Sequence, residues 1–222
     1  MQTFTDIFHH TDSRMDGIYS LRYKVYCEER GFENPADFPD GIETDEYDEH
    51  AVHFATIRSN RIIGTARIIL NTGNGFPLEK HATINGDILN CIHRDNVGEI
   101  SRFAFSKEYR KCFPHKPVTD YQGFAASREA LRTTEAQKFE SETMIKLYRS
   151  IFKECRRKNL THLIAIIADS LCRLLNRNGI AFIPIGPLVN YHGRRTPCIC
   201  NIEKTMHNLK TTHPAIYSQF LL

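Results

Sequence analysis

The side chains best suited to chemistry are Glu99, Ser101 and Arg102, which interrupt an otherwise apolar stretch from 97 to 106. Its β-forming residues predict a strand. Strict alternation puts Glu99, Ser101, Phe103 and Phe105 on one face, with Ile100 and Arg102 on the other. A carboxylate and a hydroxyl on an apolar strand are costly unless polar groups meet them. Two interpretations follow: an edge strand with Glu99 and Arg102 in water, or a catalytic strand.

An acidic cluster precedes this strand in the chain. Residues 43–50 hold five carboxylates in eight positions, among them Asp45 and Asp48. Such a cluster is either a solvated turn or a site that pairs with arginines or holds a cationic group.

Two arginines elsewhere in the chain could also belong to a site. Arg22 lies in a predicted helix over 16–30, and by itself it reads as a solvated helix charge. Arg67 interrupts the apolar run 61–70, so it either leaves at a sheet edge or reaches a buried carboxylate.

The remaining pattern predicts an α+β (mixed α/β) fold, because hairpin strands come first and an αβαβ unit follows. Strands 51–57 and 61–70 are joined by the hairpin turn at Ser59 and Asn60. The other predicted segments are a loop over 32–44, weak helical character over 78–93, an irregular stretch over 107–132, a helix over 134–158, strands over 163–168, 180–185 and 198–202, and a terminal helix over 202–210.

The overall composition is that of an ordinary globular enzyme. The 222 residues are 41% hydrophobic and 25% charged, and a net charge of +3 is too small to indicate nucleic-acid binding. Seven cysteines without framework spacing, no secretion signal and no apolar run near membrane-span length lead us to expect a cytoplasmic protein with reduced thiols. The one close cysteine pair, at 198 and 200, lacks a second pair for zinc, so no metal site is predicted.

An ordered set of motifs in the first half of the chain resembles the GNAT superfamily, and within it the acyl-homoserine-lactone (autoinducer) synthases. The motifs are Arg22 to Tyr26, Gly31-Phe32, Asp45-x-Tyr47-Asp48, His53-Phe54, 63–69 and 99–104. Each motif alone is weak, and the specificity comes from their order.

The resemblance implies a single GNAT-like acyltransferase domain over 1–222, with a central, mostly antiparallel sheet flanked by helices. It also implies that eight residues build the amine-substrate pocket and its catalytic face. They are Arg22, Tyr26, Phe32, Asp45, Asp48, Arg67, Glu99 and Arg102.

Two features depart from the autoinducer synthases. The chain contains no tryptophan, and its tail adds a Gly193-Arg194-Arg195 loop and a terminal helix. In these respects it is more similar to acyltransferases associated with PEP-CTERM/exosortase systems and to long-chain N-acyl amino acid synthases. The resemblance to these families implies an amino acid or an S-adenosylmethionine-like amine as the acceptor.

The implied reaction moves a fatty acyl group from a thioester to that amine, with Glu99 as general base. Asp45 and Asp48 would hold the ammonium, and Arg22, Arg67 and Arg102 would fix these acids or bind an acceptor carboxylate. Backbone donors near Phe103 to Phe105 would polarise the thioester carbonyl. The alternative for the arginines and acids is a purely structural ion network.

The acyl donor is acyl carrier protein or coenzyme A, and no tightly bound cofactor is expected. The segment after the catalytic strand lacks the glycine-rich loop with which GNAT enzymes bind pyrophosphate, which favours acyl carrier protein. Lys107, Arg110 and Lys111 would dock such an acidic carrier. A non-enzymatic lipid- or metabolite-binding protein on the same fold is the alternative function.

Overall fold

A computed structural model describes residues 3–107 and 126–221, with 126–141 described by backbone alone. Within these ranges one sheet has the strand order β1-β2-β3-β4-β5-β8-β6, and β7 also pairs with β8. The strands are β1 (Thr3–His9), β2 (Ala51–Arg58), β3 (Arg61–Leu70), β4 (Val97–Phe105), β5 (His162–Ala168), β6 (Ile183–Pro184), β7 (Val189–Asn190) and β8 (Arg194–Asn201). The pairing of β4 with β5 is parallel and the other pairings are antiparallel.

Helices cover both faces of this sheet, which confirms the expected mixed α/β fold. They are α1 (Met15–Tyr23), α2 (Pro77–His81), α3 (Gly86–Asn90), α4 (Ala126–Arg157), α5 (Asp169–Arg177), α6 (Ile202–Thr212) and α7 (Pro214–Leu221). A π-helical turn, Lys24–Glu29, continues α1, so the predicted helix over 16–30 exists with a wider second half.

The hairpin between β2 and β3 confirms the prediction from its turn residues. Ser59 and Asn60 both have positive φ, at 51° and 62°. Turns of this kind match the twist of the flanking strands.

Alternation along the strands separates the two faces. Ala55 of β2 meets Ile18 of α1 on one face, whereas Phe54 belongs to the core that Leu147 and Tyr148 of α4 share on the other. Polar groups that lie between α1 and the sheet are thereby kept away from the main apolar core.

Several boundaries were predicted wrongly. Helix α4 already begins at Ala126, inside the stretch predicted to be irregular, and β8 begins at Arg194 rather than Cys198. The strand predicted over 180–185 is reduced to Ile183–Pro184. Strand β1 and helix α7 were not predicted, because short terminal elements depend on the surfaces they cover.

The sheet opens between β4 and β5. These strands pair only from Val97 to Glu99 on one side and His162 to Ile164 on the other. Beyond Glu99, no strand in the described parts of the chain pairs with β4 on its β5 side. The opening leads from one face of the sheet to the other.

Candidate active site

Three arginines and three carboxylates meet between α1 and the sheet. Arg22 comes from α1 and Arg67 from β3, and both are almost fully buried. Arg102 comes from β4, and the acids Glu43, Asp45 and Asp48 come from the segment before β2. The solvated-charge interpretation of Arg22 is therefore wrong, and Arg67 reaches buried carboxylates rather than a sheet edge.

Asp48 lies at the centre of this ion network. Its Oδ1 accepts hydrogen bonds from Arg22 Nη1 at 2.6 Å and Arg67 Nη1 at 2.5 Å, and its Oδ2 accepts from the Asp45 backbone N–H at 2.8 Å. Burial alone would raise the pKa of Asp48, but the two guanidinium charges lower it well below its ordinary value. Asp48 therefore stays ionised and holds the side chains of Arg22 and Arg67 together.

The carboxylate of Asp45 also accepts hydrogen bonds from several donors. Arg67 binds it in bidentate fashion, with Nη1–Oδ1 and Nη2–Oδ2 distances of 2.5 and 2.6 Å. The Tyr47 backbone N–H adds a hydrogen bond to Oδ1, and Arg102 Nη2 lies 3.0 Å from Oδ2. A carboxylate offers about four acceptor positions. Asp45 therefore has none left for a substrate ammonium, and neither aspartate supports the predicted ammonium-binding role.

Glu43 connects the other two arginines. Its side chain is fully buried, pairs with Arg22 Nε, and accepts from Arg102 Nη2 at 2.8 Å. Burial alone would raise its pKa, but the charges of Arg22 and Arg102 lower it. Sequence reasoning missed this residue, although it is the first member of the acidic cluster.

Arg102 reaches the network through a β-bulge. The register between β3 and β4 shifts between Thr65 and Arg67, and Arg102 has φ of 48°. A bulge of this kind redirects side chains. The prediction that Arg102 shares a face with Ile100 is therefore wrong, since it joins Ser101, which accepts from Arg67 Nε at 2.8 Å.

The same bulge moves the two phenylalanines to the opposite face. Phe103 and Phe105 pack against the core that contains Ile100, and the Phe103 ring lies 5.9 Å from that of Tyr148. The Phe105 ring covers Gly64, where any side chain would collide with it. Their predicted place on the Glu99 face is wrong, although both line the cavity described below.

Glu99 has a different environment from the three paired acids. Its side chain is buried, and among the described residues its one hydrogen bond is to Oε2, from the Leu78 backbone N–H at 2.8 Å. Burial raises the pKa of Glu99 to about 8. A carboxyl group with this pKa exchanges a proton near neutral pH, as a general base requires.

A cavity of about 1020 Å³ occupies the opening between β4 and β5, with Glu99 on its wall. On the α1 side its wall is charged and aromatic. We call this side the polar arm, defined by Glu33, Asp45, Arg67, Arg102, Tyr191 and His192. On the α4 side lies the apolar arm, defined by Phe103, Phe105, Met144, Tyr148, Leu171 and Leu174.

Stacked rings line the polar arm. Phe32 lies 6.0 Å from the Tyr26 ring and stacks on His192 at 5.1 Å. His192 stacks on Tyr191 at 4.3 Å, and Tyr191 on His81 at the same distance. Burial, followed by the charge of Arg195, lowers the pKa of His192 to about 4, so it is neutral. The segment over 191–195, which leads into β8 and of which sequence analysis named only residues 193–195, therefore completes the site.

The predicted site residues fall into three groups. Tyr26, Phe32, Asp45, Arg67, Glu99, Ser101, Arg102, Phe103 and Phe105 line the cavity. Arg22 and Asp48 lie behind that wall, where they hold it. Lys107 is exposed beside Glu29, whose backbone carbonyl accepts from its ammonium, and Arg110 and Lys111 lie outside the described residues.

Part of the chain matches a known protein family. Residues 21–113 match the family described as an acetyltransferase (GNAT) domain. This stretch contains β2, β3, β4 and the complete ion network. The segment is therefore similar to a GNAT acyltransferase domain, and Glu99 lies inside it.

Solved structures with the same fold cover this matched segment and most of the rest of the chain. TofI, solved in a ternary complex with an inhibitor and MTA, has a TM-score of 0.63 at 21% identity and covers 97% of this chain and 100% of its own. BjaI, a CoA-dependent acyl-homoserine lactone synthase solved with SAM and isopentyl-CoA, has a TM-score of 0.66 at 16% identity and covers 97% of this chain and 90% of its own. FeeM, an N-acyl amino acid synthase from uncultured soil microbes, has a TM-score of 0.57 at 14% identity and covers 93% of this chain and 94% of its own. At these identities the likeness shows the fold.

A search of curated proteins finds no match. In the described parts of the chain, no helix is long and apolar enough to cross a membrane.

Proposed function

We propose that this protein is an N-acyltransferase that moves a fatty acyl group from a carrier protein or coenzyme A thioester to a small amino-acid-like amine. The observation that carries the proposal is Glu99: a buried carboxyl of raised pKa, with no ion-pair partner among the described residues, where a polar and an apolar arm of one cavity meet. Glu43, Asp45 and Asp48 are each paired with arginines. Glu33 faces Arg102 and His192 in the polar arm. Glu99 is therefore the carboxyl at the junction of the two arms that is placed to take a proton.

The reaction follows from this placement. The acyl chain lies in the apolar arm, and the amine enters the polar arm. Its nitrogen attacks the thioester carbonyl carbon, the C–S bond breaks, the amide bond forms, and Glu99 takes the proton that the nitrogen loses. The thiolate leaves and is protonated to the thiol.

Backbone of β4 supports the developing oxyanion. Among the described residues, β4 and β5 pair only as far as Glu99, so the backbone of β4 beyond Glu99 borders the opening. Backbone donors in such a position stabilise a tetrahedral intermediate. The ion network holds this part of β4 in place through Arg102 and Ser101.

The structures of TofI, BjaI and FeeM support the proposal through their fold, and the descriptions of BjaI and FeeM add acyl-homoserine lactone and N-acyl amino acid synthesis. BjaI was solved with isopentyl-CoA, an alkyl derivative of coenzyme A, so the fold accommodates a coenzyme A donor, and a carrier protein remains a second candidate. We keep both donors in the proposal.

The test is a product survey with a matched pair of variants. Purified protein is incubated with decanoyl and palmitoyl thioesters of coenzyme A and of acyl carrier protein, together with the common amino acids and S-adenosylmethionine, and amides are detected by mass spectrometry. Glu99→Gln should lose about 100-fold or more in kcat because the base is gone, while still binding the thioester. Asp40→Asn, an exposed acid outside the cavity, should behave as wild type.

Two results would contradict the proposal. If the unmodified protein binds acyl thioesters but forms no amide with any amine, it is a lipid- or metabolite-binding protein. If Glu99→Gln turns over as fast as wild type, the base lies elsewhere.

A further inference from the structure

Among the described residues at the cavity, one arginine has its guanidinium held in place but has no carboxylate partner. In the described residues, Arg22, Arg67 and Arg102 are matched by Glu43, Asp45 and Asp48. This pairing uses the arginines that sequence analysis had considered for an acceptor carboxylate. An anion that enters the polar arm therefore needs another partner.

Arg195 has the position and the freedom to be that partner. It lies on the cavity wall, half-buried, and no described carboxylate comes within ion-pair distance of it. Glu33 is the nearby acid, but its Oε1 faces Arg102 Nη2 at 3.7 Å and His192 Nε2 at 3.6 Å. Neither terminal nitrogen of Arg195 is thus needed by Glu33.

The guanidinium of Arg195 is also held in a fixed orientation. Its Nε donates to the His192 backbone carbonyl at 3.3 Å, and its Cζ lies 5.4 Å from the centre of the Phe32 ring. Among the described residues, no hydrogen bond or ion pair uses either terminal nitrogen of Arg195. A fixed pair of N–H donors is the arrangement that binds a carboxylate in bidentate fashion.

The neighbours of Arg195 place it on the polar arm. Phe32, on which it stacks, contacts Tyr26, and the Tyr26 ring lies under Arg102 with a Cζ distance of 5.3 Å. Two further arginines, Arg30 and Arg194, line the cavity, but both are exposed and no described contact holds either guanidinium in place. Arg195 is thus set apart by its anchoring and by its place beside the amine side of the site.

We propose that Arg195 binds the carboxylate of the acceptor, so that the protein selects amines that also carry a carboxylate, as amino acids do. The proposal rests on the N-acyltransferase function above. It assigns a recognition role, and the proton transfer stays with Glu99.

The experiment compares acids with their neutral analogues. Kinetics are measured with decanoyl thioesters and matched acceptor pairs, each an α-amino acid and its α-carboxamide. Wild type should prefer the acid by about tenfold or more in kcat/KM, the size expected for a charge-assisted bidentate contact. Arg195→Met should bring the ratio near one by raising KM for the acid, and Arg195→Lys should recover part of the preference. Arg173→Met, an exposed arginine of α5 outside the cavity, is the control.

Three outcomes would overturn the proposal. One is an unchanged acid-to-amide ratio in Arg195→Met. Another is a rise in KM for the thioester instead of the amino acid, since Arg195 would then serve a phosphate of the donor. A third is a wild-type enzyme that acylates the amide as well as the acid.

A binding measurement separates this proposal from the function on which it rests. If no amide product forms with any pair, titration calorimetry of the same acids and carboxamides decides. Acid binding that Arg195→Met abolishes supports carboxylate recognition even in a non-catalytic protein. Equal or absent binding of the acid by wild type overturns it.

Discussion

At the scale of single residues, identical carboxyl groups acquire different roles from their partners. Asp48 receives two guanidinium groups and a backbone N–H, and its pKa falls. Glu99 is buried with one backbone donor, and its pKa rises to about 8. The first is a fixed charge, and the second is a proton acceptor near neutral pH.

The raised pKa of Glu99 has a measurable effect on stability. Between its ordinary value of 4.5 and about 8, the folded state holds a proton that the unfolded state has released. Stability contributed by this group is therefore full at low pH and is lost as pH rises through 8. Glu99→Gln has no such proton, so its melting temperature relative to wild type should rise steadily from pH 5 to pH 8.5. If the difference in melting temperature between the variant and wild type did not change with pH, Glu99 would not be buried as a neutral acid. Asp40→Asn, which changes an exposed acid, is the control.

The buried position of Glu43 predicts a large cost for its removal. Glu43→Gln leaves Arg22 and Arg102 without their shared charge, and breaking a buried pair typically costs roughly 3–5 kcal/mol. Glu46→Gln, three residues away, removes an exposed pair with Lys80 and should leave the unfolding free energy almost unchanged. Urea denaturation of both variants measures the contrast, and equal effects would mean that the network does not hold α1 to the sheet.

At the scale of elements, the bulge in β4 decides which side chains face which arm. One extra residue at Arg102 keeps Glu99, Ser101 and Arg102 together on the polar side and turns Phe103 and Phe105 to the apolar side. Without it, strict alternation would send Arg102 into the core with Ile100. The strained backbone at Arg102 is thus what joins the two arms at Glu99.

This strain reverses the usual order of glycine and alanine in a strand. The left-handed conformation at Arg102 costs a residue with a Cβ about 1–2 kcal/mol, and glycine avoids that cost. Arg102→Gly should therefore be more stable than Arg102→Ala by about 1 kcal/mol in urea denaturation. At neighbouring Ser101, where φ is not positive, Ser101→Gly should be less stable than Ser101→Ala. The same order at both positions would argue against the bulge.

At the scale of the whole molecule, the opening between β4 and β5 lets one cavity connect two chemically different faces of the sheet. The α1 face supplies charges and rings, and the α4 face supplies aliphatic and aromatic surface. An acyl thioester needs both, since its chain is apolar and its reacting end is polar. The architecture therefore separates chain recognition from amine recognition.

This separation predicts that the apolar arm alone sets the chain length. Leu174→Trp fills part of that arm, and losing room for two to three methylene groups costs about 2 kcal/mol, or about thirtyfold in kcat/KM for long acyl chains. KM for the amine should stay the same. Leu188→Trp, at an exposed position outside the cavity, should leave the chain-length profile unchanged. A shift in amine KM instead would place the acyl chain in the other arm.

The sequence by itself determined the sheet with its flanking helices, the β2–β3 hairpin and nine of the residues that line the cavity. These follow from short-range periodicity, turn chemistry and the order of the motifs, all of which are local. Local pattern also located the acidic cluster but could not say which members are buried. Glu43 and Glu46 look alike in the chain, yet one is fully buried and the other is exposed.

Only the tertiary structure decided three things: the face of each β4 side chain beyond Ser101, the protonation state of each acid, and the position of the 191–195 segment. A single inserted residue in a strand reverses the faces that follow, and alternation carries no sign of it. The pKa of a carboxyl depends on burial and on charges that arrive from distant segments. Arg195 and Phe32 are far apart in the chain and meet through the packing of β8 beside the opening, so their contact had no local signal.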